Sequence, residues 1–340
     1  MIILSDCLTS RVDEGCLKIA SILAGKIKSV YPETTIISYN REPKFSDYHL
    51  QLNKLFLNKV LFKLIKKNSG PILYIPFASN TMASIIRIFI LSVFQHKSVN
   101  AIFALRYEMN TIGKILLKVC KCNVVALSYD SYTYYQKIVG CHASYLKTGV
   151  NSDIFKPTTS QRKEELKKAY GIPLDKKVIL HVGHLKKGRN IDKLLQIDKE
   201  YFVLLVVSSV TENERDNSLK NEFQKRPNTK IIFSYIENIA EVYQLSDIYF
   251  FPVQQEENCI DVPLSVLEAA ACNLPVVSTS YGEIKQLIGM KGFYQLNKCD
   301  RAEIMTLIKD AENNDSISTR DAVLAYDWNN SIINLKKIIE

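Results

Sequence analysis

Short β-rich runs alternate with helix-length amphipathic segments, the chain is too long for one core, and its charge is split between halves. Together these predict an α/β protein of two Rossmann-like domains, each a doubly wound parallel sheet. At 340 residues the chain exceeds the length at which a single hydrophobic core keeps growing, and 47% hydrophobic residues suffice to fill two. The predicted boundaries are 1–148, joined by a C-terminal helix 326–340, and 149–325. Two such sheets facing one another imply a central cleft, with ligands beyond the carboxyl ends of the strands.

In the first half, strands are predicted at Ile2–Leu4, Thr35–Tyr39, Ile72–Ile75, Ala101–Leu105 and Val124–Leu127. Asp6 interrupts the opening MIILSDC before a signal-peptide core can form, so these residues read as a first strand. The turn that follows sets Thr9, Ser10, Arg11 and Gly15 ahead of a helix and, from the residues alone, reads as a capping turn with Ser10 or Asp13 as N-cap. Residues 50–67, LQLNKLFLNKVLFKLIKK, read as one helix with a basic edge at Lys59, Lys63, Lys66 and Lys67. Its apolar arc is wider than one core face requires, which fits a helix lying on an anionic membrane surface as well as a buried crossover helix.

In the second half, strands are predicted at Val178–Val182, Phe202–Val207, Lys230–Phe233, Asp247–Phe251 and Pro275–Ser278. Gly183 follows the first of these. Lys186, Lys187, Gly188 and Arg189 come next and are expected to lead into a helix, either as a solvated basic turn or as a helix N-terminus that, with the three cations, would hold a diphosphate. The spacing is neither a P-loop nor a dinucleotide fingerprint, because Arg189 and Asn190 stand where a Walker motif needs Lys then Ser or Thr. His181 lies within the strand and reads as a core histidine. The stretch from Asp247 to Thr279 runs strand, polar loop, helix, strand, with the helix opening at Pro263. Glu268 falls in that helix beside Ala269, Ala270 and Ala271. Glu is almost never fully buried without a partner, so Glu268 either caps something local or meets a ligand hydroxyl.

The segment LSVLEAAACNLPVVSTSYG resembles the nucleotide-sugar site of the retaining family-four glycosyltransferases, the glycosyl transferases group 1, which have the two-domain GT-B fold. Three more stretches are similar to that family and extend the likeness over the whole chain: His142 to Pro157, Val178 to Leu195, and YDWNNSIINLKKIIE at the end. The resemblance implies that Glu268 grips the nucleotide ribose, with Leu264 and Ser265 at the helix start beside the donor. It implies that Lys187 holds the diphosphate and stabilises the leaving group, helped by Gly183, Lys186 and Arg189. His184 stands where the family has Arg. Ile260 occupies the register of the family's first Glu, which leaves Asp261 beside it, or Glu256 and Glu257 upstream, as the replacement. Arg106 falls where the family often places a cleft His, Arg11 and Gly15 fall in the cleft loop, and the base would be read near Ser234 to Ile236. The implied activity is transfer of a sugar from a nucleoside diphosphate to a glycan or lipid-linked acceptor, with retention. A GT-B epimerase and a non-catalytic subunit are the alternatives.

Charge narrows the partners. Residues 1–150 hold 19 Lys plus Arg against 8 Asp plus Glu, whereas residues 151–340 hold 25 against 27. A basic first half suits an anionic membrane or an anionic acceptor, and no motif points to nucleic acid. Eight Cys without framework spacing fit reduced thiols in a cytoplasm, peripheral to a membrane at most, and Cys120 with Cys122 lacks a second pair to complete a zinc site. None of the 16 Asp residues forms an Asp-x-Asp pair. No metal and no cofactor beyond the nucleotide-sugar is therefore expected.

Overall fold

The computed structural model describes residues 1–9, 14–207, 216–254 and 259–339, with all side chains among them except those of Phe94 and Lys187. The chain divides into two compact units, Met1–Thr148 with Ile260–Val262 and Trp328–Glu340, and Gly149–Cys259 with Pro263–Asp327. Each is built on a parallel sheet.

The first unit has seven strands: β1 (Ile2–Ser5), β2 (Thr35–Tyr39), β3 (Tyr48–Leu50), β4 (Ile72–Ile75), β5 (Val99–Phe103), β6 (Asn123–Ala126) and β7 (Ala143–Tyr145). They lie in the order β3-β2-β1-β4-β5-β6-β7, all parallel. The central strands are buried on both faces, as parallel sheets require. Helix α1 (Gly15–Val30) connects β1 to β2. Four further helices, α2 (Lys59–Lys67), α3 (Met82–Phe89), α4 (Thr111–Val119) and α5 (Tyr129–Val139), send Leu61, Ile65, Ile85, Ile88, Leu117 and Tyr135 into one core with alternate strand residues such as Ile2, Leu4, Tyr74 and Val124. These four helices therefore cover the same face of the sheet. The C-terminal helix Trp328–Ile339 packs on α1, where Lys26 Nζ donates to Asn329 Oδ1 at 2.7 Å.

The second unit has β8 (Val178–Gly183), β9 (Phe202–Val207), β10 (Thr229–Ile232), β11 (Ile248–Phe251), β12 (Val276–Ser278) and β13 (Phe293–Gln295), in the parallel order β10-β9-β8-β11-β12-β13. Its helices are α6 (Ser160–Ala169), α7 (Asn217–Lys225), α8 (Ala240–Gln244), α9 (Leu264–Ala271), α10 (Arg301–Glu312) and α11 (Thr319–Val323), so the C-terminal helix is α12. Arg320 of α11 donates to the carbonyls of Ala271, Phe155 and Ser152, closing the C-terminal end of α9.

The expected single helix over 50–67 does not form. Leu50 ends β3, the next eight residues are irregular, and only Lys59–Lys67 is helical. Two asparagines explain the break, because their side chains offer backbone amides an alternative to helical bonding. Asn53 Oδ1 accepts from the amides of Leu55 and Leu57 at 3.0 Å, and Asn58 caps α2 by accepting from Val60 and Leu61. Phe56, which a continuous helix would put toward a membrane, is fully buried and packs edge-on against Tyr39 and Tyr74 at 4.9 and 5.9 Å. Phe56→Ala should therefore cost about 3–5 kcal/mol in urea unfolding. A midpoint equal to wild type would contradict this packing.

Candidate functional site

The order of the second sheet reverses between β8 and β11. Open α/β sheets bind ligands at such a switch point, beyond the carboxyl ends of the strands. Two segments leave the sheet there, the turn after Gly183 and the loop that leads from β11 to α9.

The turn does not run into an α-helix as the sequence suggests. It forms two short 3-10 turns, Lys187–Arg189 and Ile191–Gln196, separated by Asn190 in the left-handed conformation (φ 55°). Asn190 Nδ2 donates to Pro252 O at 3.2 Å and to Gln254 Oε1 at 2.9 Å, tying this turn to the loop after β11. Arg189 is buried rather than presented to solvent. A Cβ on Gly183 would lie 2.7 Å from Arg189 Nη1 and 3.1 Å from His181 Nε2, so glycine is what lets the guanidinium close over the strand end. His184 and Lys186 are half-buried in the turn. The backbone of Lys187 belongs to it, and the side chain lies outside the described set.

His181 is buried beneath this turn. Its ring stacks near Tyr249 and Phe251, and Nδ1 donates to Phe250 O at 2.9 Å while Nε2 has no hydrogen-bond partner. Burial pulls its pKa down to about 4, the Phe250 carbonyl opposes that shift, and the Arg189 charge adds to it. A neutral imidazole thus lies next to a buried guanidinium.

Across the switch point, α9 starts at Leu264 with Pro263 as its N-cap and no side-chain cap. The uncapped helix N-terminus at this place is therefore that of α9, not one after Gly188. Glu268 is 3% exposed and accepts from the Tyr243 hydroxyl at Oε2, 2.9 Å away. Burial, with the nearby carboxylate, pushes the Tyr243 phenol well up and keeps it a donor. One turn earlier, Ser265 is hydrogen-bonded to Tyr249, whose hydroxyl also donates to Val182 O at 3.3 Å. Tyr243, Tyr249 and Asn190 are the members that sequence reasoning passed over. The only signal for Tyr243 was the demand of a buried carboxylate for a donor.

Gly183 ends one strand with His184, Lys186 and Arg189 just beyond it, and Leu264, Ser265 and Glu268 come after its neighbour. Ile236 follows β10, half-buried. Three other predicted residues belong to the first unit. Asp261 is not beside Glu268: its amide donates to Ala104 O at 3.2 Å and its carboxylate accepts from Ser128 and Ser131 at the start of α5. Hydroxyls at a helix N-terminus suit a carboxylate, which explains the placement. Gly15 opens α1, and a Cβ there would meet Ile260 Cδ1 at 2.3 Å. Arg106 Nη1 donates to Asp130 O at 3.4 Å, with its guanidinium 5.3 Å from the Tyr134 ring. Arg11, Glu256 and Glu257 lie outside the described residues.

Residues 162–322 match the family described as glycosyl transferases group 1. The match spans just under half of the chain. The chain is 27% identical over 275 residues to an uncharacterized glycosyltransferase of Haemophilus influenzae, covering 77% of this chain and 71% of the relative. It is 24% identical over 173 residues to a putative teichuronic acid biosynthesis glycosyltransferase, TuaC, of Bacillus subtilis, covering 49% of this chain and 40% of the relative. Among solved structures, Anabaena HepE in complex with UDP superposes with a TM-score of 0.76 at 14% identity, covering 99% of this chain and 98% of that one. The likeness to HepE establishes the GT-B fold, which the two parallel sheets display.

The buried imidazole sets a pH dependence. The His181 pKa is lower folded, at about 4, than the ordinary 6.5, so unfolding takes up a proton between those values. The stability is fully present above the unfolded pKa and falls as pH drops toward 4, by on the order of 3 kcal/mol from this residue. Denaturant titrations across this range should show a shallower slope in His181→Leu. Equal slopes would contradict the neutral, buried ring.

Proposed function

We propose that this glycosyltransferase takes a sugar from a nucleoside diphosphate donor held at the switch point of the second sheet. It passes the sugar to a glycan or lipid-linked acceptor in cell-surface polysaccharide or glycolipid synthesis. The observation that carries the reading is the convergence of a basic turn (Gly183 to Arg189) and an uncapped helix start with a buried carboxylate (Leu264 to Glu268) on adjacent strands. HepE, of the same fold, has been solved with UDP and with UDP-glucose, and the name of TuaC points to polysaccharide synthesis.

In this reading Glu268 accepts from the ribose hydroxyls. A carboxylate has about four acceptor positions, and the Tyr243 hydroxyl fixes its orientation. The diphosphate lies toward the first amides of α9, with Lys187 and Lys186 as its cations and His184 as a hydrogen-bond donor, and Arg189 shapes the turn from below. As the glycosidic bond to the donor phosphate breaks, charge grows on the leaving nucleoside diphosphate. Preorganised cations and amides stabilise it there, usually the largest single catalytic contribution. Transfer retains the anomeric configuration. Without an Asp-x-Asp pair, side-chain cations rather than a divalent ion do the neutralising.

Glu268→Ala should weaken nucleoside diphosphate binding about ten- to a hundredfold in calorimetry, the value of a lost charge-assisted bond. Unchanged affinity in a folded mutant would remove the assignment. For Lys187→Ala the loss should fall on kcat, at about a hundredfold. Near-normal turnover would refute the leaving-group role. Incubating the donor alone separates the alternatives, since isomerisation without acceptor would identify an epimerase.

A further inference from the structure

We infer that the layer of helices α2 to α4 on the first unit docks on an anionic lipid bilayer, with Ile112, Ile115 and Val119 of α4 as the apolar stripe that enters the interface. The inference goes beyond the transfer reaction and rests on the first unit alone.

Charge comes first. Between Tyr48 and Ser128 the sequence has 11 Lys and Arg and a single acidic residue, Glu108. Nearly the whole basic excess of the first half thus lies in the segment that builds α2, α3 and α4. These helices cover one face of the sheet through the same core, so their outward sides share one surface of the unit.

Apolar side chains interrupt that surface. On α4, Gly113 and Leu117 turn inward, whereas Ile112, Ile115 and Val119 are 64%, 57% and 56% exposed. Their i, i+3, i+7 spacing places them in one stripe. Lys114 and Lys118 lie on the same helix and Lys121 just beyond it, with no acidic residue from Thr111 to Asn123. Around the start of α2, Leu55, Leu57 and Val60 are also exposed, and Lys54, Lys59 and Lys63 are beside them. A singly exposed apolar residue needs no explanation, but an aliphatic stripe edged by lysines is the make-up of a helix that lies in a membrane interface.

The chemistry selects the occupant. Aliphatic groups gain nothing from a nucleic acid or a soluble polyanion, and a second copy of this face would bring like charges together. A bilayer with anionic headgroups offers both partners at once, phosphates for the lysines and acyl chains for the stripe.

The test is co-sedimentation with vesicles of phosphatidylglycerol and phosphatidylcholine in equal parts, and with phosphatidylcholine alone. The wild-type chain should pellet with the anionic vesicles and leave them at high salt, as the Debye length shrinks from about 10 Å to about 3 Å. The exposed-stripe variant Ile112→Ser, Ile115→Ser, Val119→Ser should partition about tenfold less, and Lys114→Gln, Lys118→Gln, Lys121→Gln about a hundredfold less. Circular dichroism should show both folded, and their nucleoside diphosphate affinity should stay at wild-type level. The inference is overturned if wild type ignores anionic vesicles, binds phosphatidylcholine equally, or keeps its binding in the stripe variant. A dimer lost in that variant, without vesicle binding, would assign the face to a second copy instead. Because nucleotide affinity is measured separately, a failure here leaves the donor-site reading standing and a failure there leaves this one.

Discussion

A carboxylate buried among alanines must be given a donor, and the Tyr243 hydroxyl 2.9 Å from Glu268 meets that requirement in the second unit. The rest of the site is arranged around this bond. Tyr243 lies edge to face on Phe155 and beside Tyr249, and Tyr249 reaches Val182 of β8 and Ser265 of α9. One aromatic cluster therefore fixes where α9 begins relative to the end of β8. Removing the donor would leave a buried charge with fewer partners, which is far more costly than the bond itself is stabilising.

On the other side of the switch point the buried charge is a cation. Arg189 is enclosed by Gly183 and His181, and the imidazole accommodates it by staying neutral. The buried cation then contributes to the shape and potential of the turn, while Lys186 and His184 lie nearer its surface. Asn190 joins the turn to the loop after β11, so the two halves of the site are held by a side chain as well as by the sheet.

The strands were legible where burial on both faces forces a continuous apolar run: Thr35–Tyr39, Ile72–Ile75 and Phe202–Val207 occur with the predicted bounds. The three strands passed over, β3, β7 and β13, are three-residue edge strands, too short and too exposed to carry such a run. The helix over 50–67 failed because side-chain capping by Asn53 and Asn58 is a local competition that hydrophobic periodicity does not register. The burial of Glu268 was legible from its alanine neighbours. Tyr243 was not, because it comes from a separate helix 25 positions away in the chain. The sequence pointed to the basic turn but gave the wrong local structure, since the left-handed Asn190 breaks the expected helix.

The central claim is that the switch point of the second sheet holds a nucleoside diphosphate by its two ends. A crystal structure with UDP bound tests it most directly. The expected result is a ribose within about 3 Å of the Glu268 carboxylate and a diphosphate at hydrogen-bonding distance from the first amides of α9 and from the Gly183 turn. A nucleotide bound away from both segments, with Glu268 bonded only within the protein, would contradict it.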